Sequence, residues 1–179
     1  MSTARASEKT DTRARREAEL SGLYEEYYDR ISRYAFVHIG DKADAEDLAG
    51  EVFLKALKSL DSYEERGVPM HAWLFKIAHN LVVDYLRKRS KIRMDPIDED
   101  VVQPADDPAK VAEKKIQMES VNLAMQKLTS EQREVITLRF QGGLSSKEVA
   151  EIMKKSDGGV REMQRAALEK LRGILAVDG

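Results

Sequence analysis

Between Met70 and Arg93 the sequence runs MHAWLFKIAHNLVVDYLRKRSKIR, and no other stretch restricts the possible folds as much. Trp73, Ile77, Leu81 and Tyr85 step by four residues, with Leu74, Ala78, Val82 and Leu86 running beside them. Two adjacent rows of that kind give an α-helix an apolar stripe wide enough to rest on other helices. The opposite side carries Lys76, His79, Asn80, Val83 and Arg87. The helix then runs out into Arg87, Lys88, Arg89, Lys91 and Arg93, with no acid among them. Cations suit the negative end of a helix dipole, but a run this dense exceeds what the dipole requires. One rod thus combines a face to bury, a polar face and a basic end, which points to a polyanionic partner.

That charge is local. The 179 residues carry 30 Lys and Arg against 32 Asp and Glu, a net charge of −2, so any nucleic-acid argument rests on where the cations sit and not on their sum. Absence of cysteine excludes disulfides, Cys-ligated zinc and thiol chemistry. No apolar run approaches the roughly 18 residues of a membrane span, and the start, MSTARASEKTDTRARREAEL, lacks the apolar core of a signal peptide. The expectation is a cytoplasmic protein with no membrane insertion.

Taken in order, residues 1–16 are polar and mixed in charge and are expected to be a disordered tail. From Glu17, Leu20, Leu23, Tyr24, Tyr27, Tyr28, Ile31, Tyr34 and Ala35 recur at helical spacing, with a stop expected near Gly40. These aromatics fit a helix core more readily than a base-stacking platform. Asp41–Leu60 reads as a second helix whose early turns hold Asp41, Asp44, Glu46, Asp47 and Glu51. The acids suit a helix N-terminus and equally suit a docking face for a basic partner; spacing does not separate the two. A loop, DSYEERGVP, leads into the Met70 helix.

After that helix the composition changes. MDPIDEDVVQPADDP (94–108) holds three of the four prolines and six acids without a Lys or Arg. Proline resists helix and the charge resists collapse, so residues 94–109 are expected to be an extended linker between a domain at 17–93 and a second at 110–179. Helical spacing resumes at Lys110. Thr129 and Ser130 are helix-starting residues, and Glu131–Gln132 suits a capping box; Ser145 with Glu148 has the spacing of a second, and Ser156 is placed to cap the last helix. No segment shows the period of a strand. The fold expected is all-α, two small helical domains joined by a flexible acidic linker.

Within Gly142–Leu175 a short helix centred on Ala150, a tight turn and a longer helix have the shape of a helix-turn-helix. Arg161, Glu162, Gln164 and Arg165 fall in the N-terminal half of its second helix, where base edges are read in a major groove; Lys154, Lys155, Lys170 and Arg172 are placed for phosphates. A helical hairpin with solvated charges is the plainer alternative. His38, His71 and His79 are scattered, and no metalloprotease, P-loop or nucleophile-elbow motif is present. Neither catalysis, a metal site nor a cofactor is expected.

DAEDLAGEVFLKAL, then HAWLFKIAHNLVVDYLRK, then LTSEQREVITLRFQGGLSSKEVAEIM followed by VREMQRAALEKLR resembles a bacterial RNA polymerase sigma factor of the extracytoplasmic-function (ECF) group. The resemblance spans about Leu20–Leu175, with the motifs in the family's order. It implies that Asp44, Asp47, Glu51 and Phe53 dock core RNA polymerase, with Gly50 where the family usually has Gln. It implies that Tyr63, Lys76, His79, Asn80, Val83, Arg87, Lys88, Arg89 and Lys91 hold the −10 element of promoter DNA as single strand. Lys154, Lys155, Ser156, Arg161, Glu162, Gln164 and Arg165 would meet the −35 element as duplex. QRAAL stands where LHRAR is commoner, so the −35 preference is this chain's own. An anti-sigma factor is the implied regulator. Two other functions fit the same helices: a helix-turn-helix regulator binding duplex unaided, and a helical adaptor acting without polymerase.

Overall fold

The computed structural model describes residues 2–65, 67–92 and 119–177. Seven α-helices are present among them: α1 (Ser2–Ile39), α2 (Lys42–Lys58), α3 (Met70–Ile92), α4 (119–126), α5 (Ser130–Phe140), α6 (Ser146–Met153) and α7 (Asp157–Val177), with a 3-10 turn at Leu60–Ser62. No strand occurs among the described residues, in agreement with the all-α expectation. The acidic linker expected at 94–109 and the first residues of the domain expected from 110 lie outside the described residues.

α1, α2 and α3 pack pairwise into a three-helix unit. Its centre is aromatic and aliphatic: Ile31, Tyr34, Val52, Leu60, Met70, Leu74 and Phe75 are almost fully enclosed. Tyr34 and Tyr27 both meet the Phe75 ring edge-on, at 5.7 and 6.2 Å between centroids. The tyrosines of α1 are mostly core, as their spacing suggests, although Tyr24 stays 48% exposed. Gly40 ends α1 in the left-handed region (φ 76°), where a side chain is strained, and Asp41 caps α2 by accepting from the Asp44 amide at 2.9 Å.

Residues 2–16 differ from expectation. Instead of a disordered tail they form the N-terminal turns of α1. Arg13 bridges Glu17 within the helix and Asp61 across to the 3-10 turn, at 2.8 and 2.7 Å. Arg16 donates to the Leu60 carbonyl at 3.1 Å and lies 5.7 Å from the centre of the Tyr63 ring. Polar composition suggested disorder because these anchors sit more than forty residues away in the chain.

The second unit is α5–α7, with α4 leading into it. Both capping boxes are present: Thr129 with Gln132, and Ser145 with Glu148. Ser156 Oγ accepts from the Gly159 amide at 3.0 Å. Between α6 and α7, Lys154 adopts the left-handed conformation (φ 55°) that most L-residues avoid. α5 and α6 both pack on α7, giving the helix-turn-helix the sequence outlines.

The two units also touch each other. α1 meets α5, and α3 meets α6. Val37 of α1 is buried with Met125, Leu128, Ile136 and Ala167 of the second unit.

Candidate nucleic-acid interface

α3 presents an outer face opposite its apolar rows. Lys76, Asn80, Val83, Arg87, Lys88 and Lys91 are exposed. Its apolar rows are buried at Leu74, Phe75, Ala78, Leu81 and Val82. Arg89 is half-buried and donates to the Ile39 carbonyl at 2.7 Å, tying the basic end of α3 to the end of α1. Tyr63 is different again: it is 5% exposed, donates its hydroxyl to Val68 O at 2.8 Å and lies against Trp73 at 5.0 Å. It shapes the 61–69 loop from beneath and does not line its surface. Trp73 packs against the core with part of its edge exposed.

His79 is the residue whose place departs furthest from a free polar face. Its Nδ1 lies 2.8 Å from Oε1 of Glu134, on α5 of the second unit. Tyr34 donates to the same oxygen at 2.6 Å, and His38 Nε2 lies 3.2 Å from Oε2 and 3.0 Å from Thr137 Oγ1. Glu134 is 7% exposed. Burial alone pushes its carboxyl up, but the hydrogen bond from His79, the nearby charges of His38 and His79 and the Tyr34 hydroxyl outweigh burial and hold it below its usual value. Burial lowers the His38 pKa despite the pull of Glu134, with Arg133 and His79 adding to the lowering. Burial first, then the adjacent carboxylate, raises the Tyr34 hydroxyl well above its usual value.

A cavity of about 190 Å³ is walled by Tyr63, Trp73 and Lys76 of the first unit and by Glu148, Glu151 and Ile152 of α6. The Glu148 carboxylate itself accepts from the Ser145 amide at 2.9 Å.

On α2, Asp47 and Glu51 are exposed, and Leu54, on the same side of the helix, is 58% exposed. An exposed leucine flanked by acids is a surface prepared for a partner with both apolar and basic groups. Asp44 and Phe53 are less available. The Asp44 carboxylate accepts from the Tyr85 hydroxyl of α3, and Phe53 is 7% exposed with its ring against Tyr24 at 5.0 Å. At Gly50 a Cβ would meet nothing within 4 Å, so the missing side chain leaves open surface beside the acids.

α7 shows its first turns to solvent. Arg161, Glu162 and Arg165 are exposed, and each arginine has a carboxylate on its own helix. Arg161 pairs with Asp157 at 2.9 Å; Arg165 pairs with Glu162 at 2.5 Å and with Glu169 at 2.8 Å. The hydrogen bond and charge of Glu162, then the charge of Glu169, raise the Arg165 pKa. Gln164 faces inward and accepts from Arg139 Nε at 2.9 Å, which joins α7 to α5. Lys154 is exposed, Lys155 pairs with Glu131 at 2.9 Å, and the Ser156 hydroxyl serves as cap. The surface offered to a groove narrows to Arg161, Glu162, Arg165 and Lys154.

Comparison with known proteins bears directly on this arrangement. The family model for sigma-70 region 2 matches residues 23–92, and that for sigma-70 region 4 matches residues 124–173. The ECF RNA polymerase sigma factor SigX of Bacillus subtilis is 32% identical over 156 residues, covering 84% of this chain and 80% of SigX. The chain belongs to the ECF sigma-factor family.

Another member, the ECF RNA polymerase sigma factor BldN of Streptomyces coelicolor, is 35% identical over 167 residues; the match takes in 90% of this chain and 62% of BldN. Among solved structures, the fold resembles that of CnrH in complex with the cytosolic domain of CnrY (TM-score 0.69, 21% identity, 96% of each chain covered). It also resembles the sigma factor RpoE in complex with the anti-sigma factor NepR from Bartonella quintana (TM-score 0.71, 24% identity, 90% of this chain and 99% of that one). In family terms, region 2 takes in α1 from residue 23 through α3, and region 4 runs from the end of α4 into α7, to residue 173. Glu134 was missed by sequence reasoning, which expects glutamate on a helix to be solvated. The available signal was its position: Val135, Ile136, Thr137 and Leu138 are all buried, so α5 has little outer surface at that turn.

Proposed function

We propose that this chain is the promoter-specificity subunit of bacterial RNA polymerase, binding the core enzyme and directing it to promoters through a −35 duplex and a −10 single strand. The carrying observation is that a basic, polar-faced α3 and an exposed helix-turn-helix occur on one chain within matched regions 2 and 4. Asp47 and Glu51, with Leu54 beside them, dock core polymerase. Asp44 contributes by holding α2 to Tyr85, and Phe53 by supporting the surface from within.

At −10 the costs are physical. Unstacking and capturing a base takes a few kcal/mol, which single-strand contacts and a cationic groove offset. Lys76, His79, Asn80 and Val83 provide the polar and apolar contacts, and Arg87, Lys88 and Lys91 the phosphate attraction, with Arg89 fixing the end of the helix. At −35, Arg161, Glu162 and Arg165 read base edges while Lys154 meets phosphate. The factor performs no chemistry of its own. It acts in the cytoplasm beside polymerase; no helix among the described residues is long and apolar enough to cross a membrane. Two solved relatives of the same fold are bound to partner proteins, one of them a named anti-sigma factor, which supports control of this chain by an anti-sigma factor in trans.

The test is to add the purified chain to core polymerase with a library of genomic promoter fragments. Transcripts starting at a shared pair of sequence elements are expected. If no start depends on the chain, the proposal fails. Tight, sequence-specific duplex binding by the chain without polymerase would favour an ordinary helix-turn-helix regulator instead.

A further inference from the structure

The first turns of α1 lie outside the stretch that matches region 2, which begins at residue 23. Residues 2–22 continue the same helix as a rod of roughly 30 Å. Cations occupy the side of this rod that becomes the core face farther along: Arg16 stands one turn before buried Leu20, and Arg13 one turn before that. Both arginines reach the 3-10 turn that opens the 61–69 loop. Arg13 is held by Glu17 on its own helix at 2.8 Å and meets the Asp61 carboxylate at 2.7 Å. Arg16 donates to the Leu60 carbonyl at 3.1 Å, the oxygen that also accepts from the Tyr63 amide at 3.3 Å.

Tyr63 carries that anchorage across the loop. Its amide closes the turn at Leu60, its hydroxyl donates to the Val68 carbonyl at 2.8 Å, and its ring lies 5.0 Å from Trp73 and 5.7 Å from the Arg16 guanidinium. One side chain thus ties the start of the loop to its end, and Arg16 meets both its ring and the carbonyl that closes the turn. The loop in turn borders the face of α3 assigned to the −10 strand. Ser62 shares a cavity of about 290 Å³ with Trp73, Ile77 and Asn80. Tyr63 and Val68 line the cavity of about 190 Å³ that Lys76 also lines.

We propose that residues 2–22 are a strut for the 61–69 loop, and that Arg13 and Arg16 tune this chain's −10 preference by holding Leu60–Tyr63 in place. They are positioning residues, and neither is assigned a contact with DNA. The proposal rests on the promoter function, because only a loop that borders the −10 strand passes its shape on to sequence preference. Arg13 and Asp61 are 40% and 74% exposed, and an exposed pair adds little to stability. Its value is geometric. Capture of an unstacked base depends on the shape of its pocket, so moving Leu60–Tyr63 changes which base is held best and leaves the surface of α7 as it is.

The full chain is compared with an Arg13→Ala, Arg16→Ala double variant, with Arg16→Lys, and with Arg15→Ala, which breaks only a pair to Asp11 on its own helix. Transcription by core polymerase is measured on promoters randomised at −10 and, separately, at −35. The double variant should lose roughly two- to tenfold discrimination at one or more −10 positions, the range of one hydrogen bond. Its −35 preference and its co-purification with core polymerase should be kept. Arg16→Lys retains a donor and a cation and should keep most of the preference, and Arg15→Ala should match the intact chain. Trp73, the one tryptophan of the sequence, reports on the loop without polymerase. Its quenching by acrylamide should rise in the double variant as the neighbouring Tyr63 ring loosens. Asp61→Ala, which breaks the bridge from the loop side, decides the matter if the double variant does not fold.

A folded variant with unchanged −10 preference overturns the proposal, and so does activity that falls evenly across all −10 sequences. Unchanged Trp73 quenching overturns the strut itself. If quenching rises in the variant, yet no transcript start depends even on the intact chain, the promoter function fails and the strut stands.

Discussion

The two regions proposed to meet DNA, the face of α3 and the first turns of α7, are built from similar helices and are found in opposite conditions. The first turns of α7 stand open, with Arg161, Glu162 and Arg165 in solvent and restrained only by carboxylates on their own helix. On the corresponding face of α3, His79 is engaged by Glu134 of another unit, while Lys76, Asn80 and Val83 stay exposed. The loop beside that face is braced by Arg13 and Arg16 from the first turns of α1. The region for duplex DNA is thus shaped by its own helix, whereas the region for a single strand is shaped by residues brought from distant parts of the chain.

The comparison can be broken most severely upstream of both faces. Replacing Asp47 and Glu51 together by Arg should abolish co-purification with core polymerase while circular dichroism shows unchanged helix content, because both side chains are exposed. Retained co-purification would displace the docking surface from α2. On the open side, Arg165→Ala should lose roughly ten- to one-hundred-fold discrimination at one −35 base pair. Gln164→Ala, which breaks the Arg139 contact instead, should lower thermal stability with the −35 preference kept. If the two variants give the reverse pattern in a binding-site selection, the inward assignment of Gln164 is wrong.

On the α3 side, Tyr34→Phe removes only the hydroxyl donated to Glu134. A hydrogen bond to a charged acceptor is worth about 1.5–3 kcal/mol, and that loss should appear as a lower Tm, with −35 duplex affinity unaltered. Lys154→Gly relieves a left-handed lysine at an expected gain on the order of 1 kcal/mol, seen as a higher Tm, and at the same time removes a phosphate contact at −35.

The smallest effect is pH. Around Glu134 stand Tyr34 and His38 from α1, His79 from α3, and Arg133 and Thr137 from α5 itself. Burial lowers the His38 pKa when the two units are docked, so as pH falls below its ordinary value of 6.5 a chain with the units apart binds a proton more readily than the docked chain, and the contact weakens. The Glu134 carboxyl is depressed on docking; its contribution is full above 4.5 and is lost as pH falls through the lowered value. Titration from pH 7.5 to 5 should therefore weaken the contact between the units and lower the Tm, and an unchanged Tm would remove His38 from that contact.

Much of the local architecture was legible in the residue order. The stop at Gly40, the two capping boxes, the buried rows of α3 and the helix-turn-helix all depend on contacts within a few residues, and spacing records such contacts directly. What escaped were residues whose role is set by partners far away. Arg13 and Arg16 lend order to a polar N-terminal segment only because Asp61 and Leu60 are folded beside it. Phe53 and Tyr63, expected at docking and DNA surfaces, are buried by Tyr24 and Trp73. Glu134 is the extreme case, since its environment is supplied entirely by another unit.

The most direct measurement of the whole account is transcription by core RNA polymerase from promoters randomised at −10 and at −35, with the intact chain and with the Arg13→Ala, Arg16→Ala variant. The account predicts starts that depend on the chain, with the variant altered in its −10 preference and not in its −35 preference. Starts that do not need the chain, or a variant whose preference changes at both elements or at neither, would contradict it.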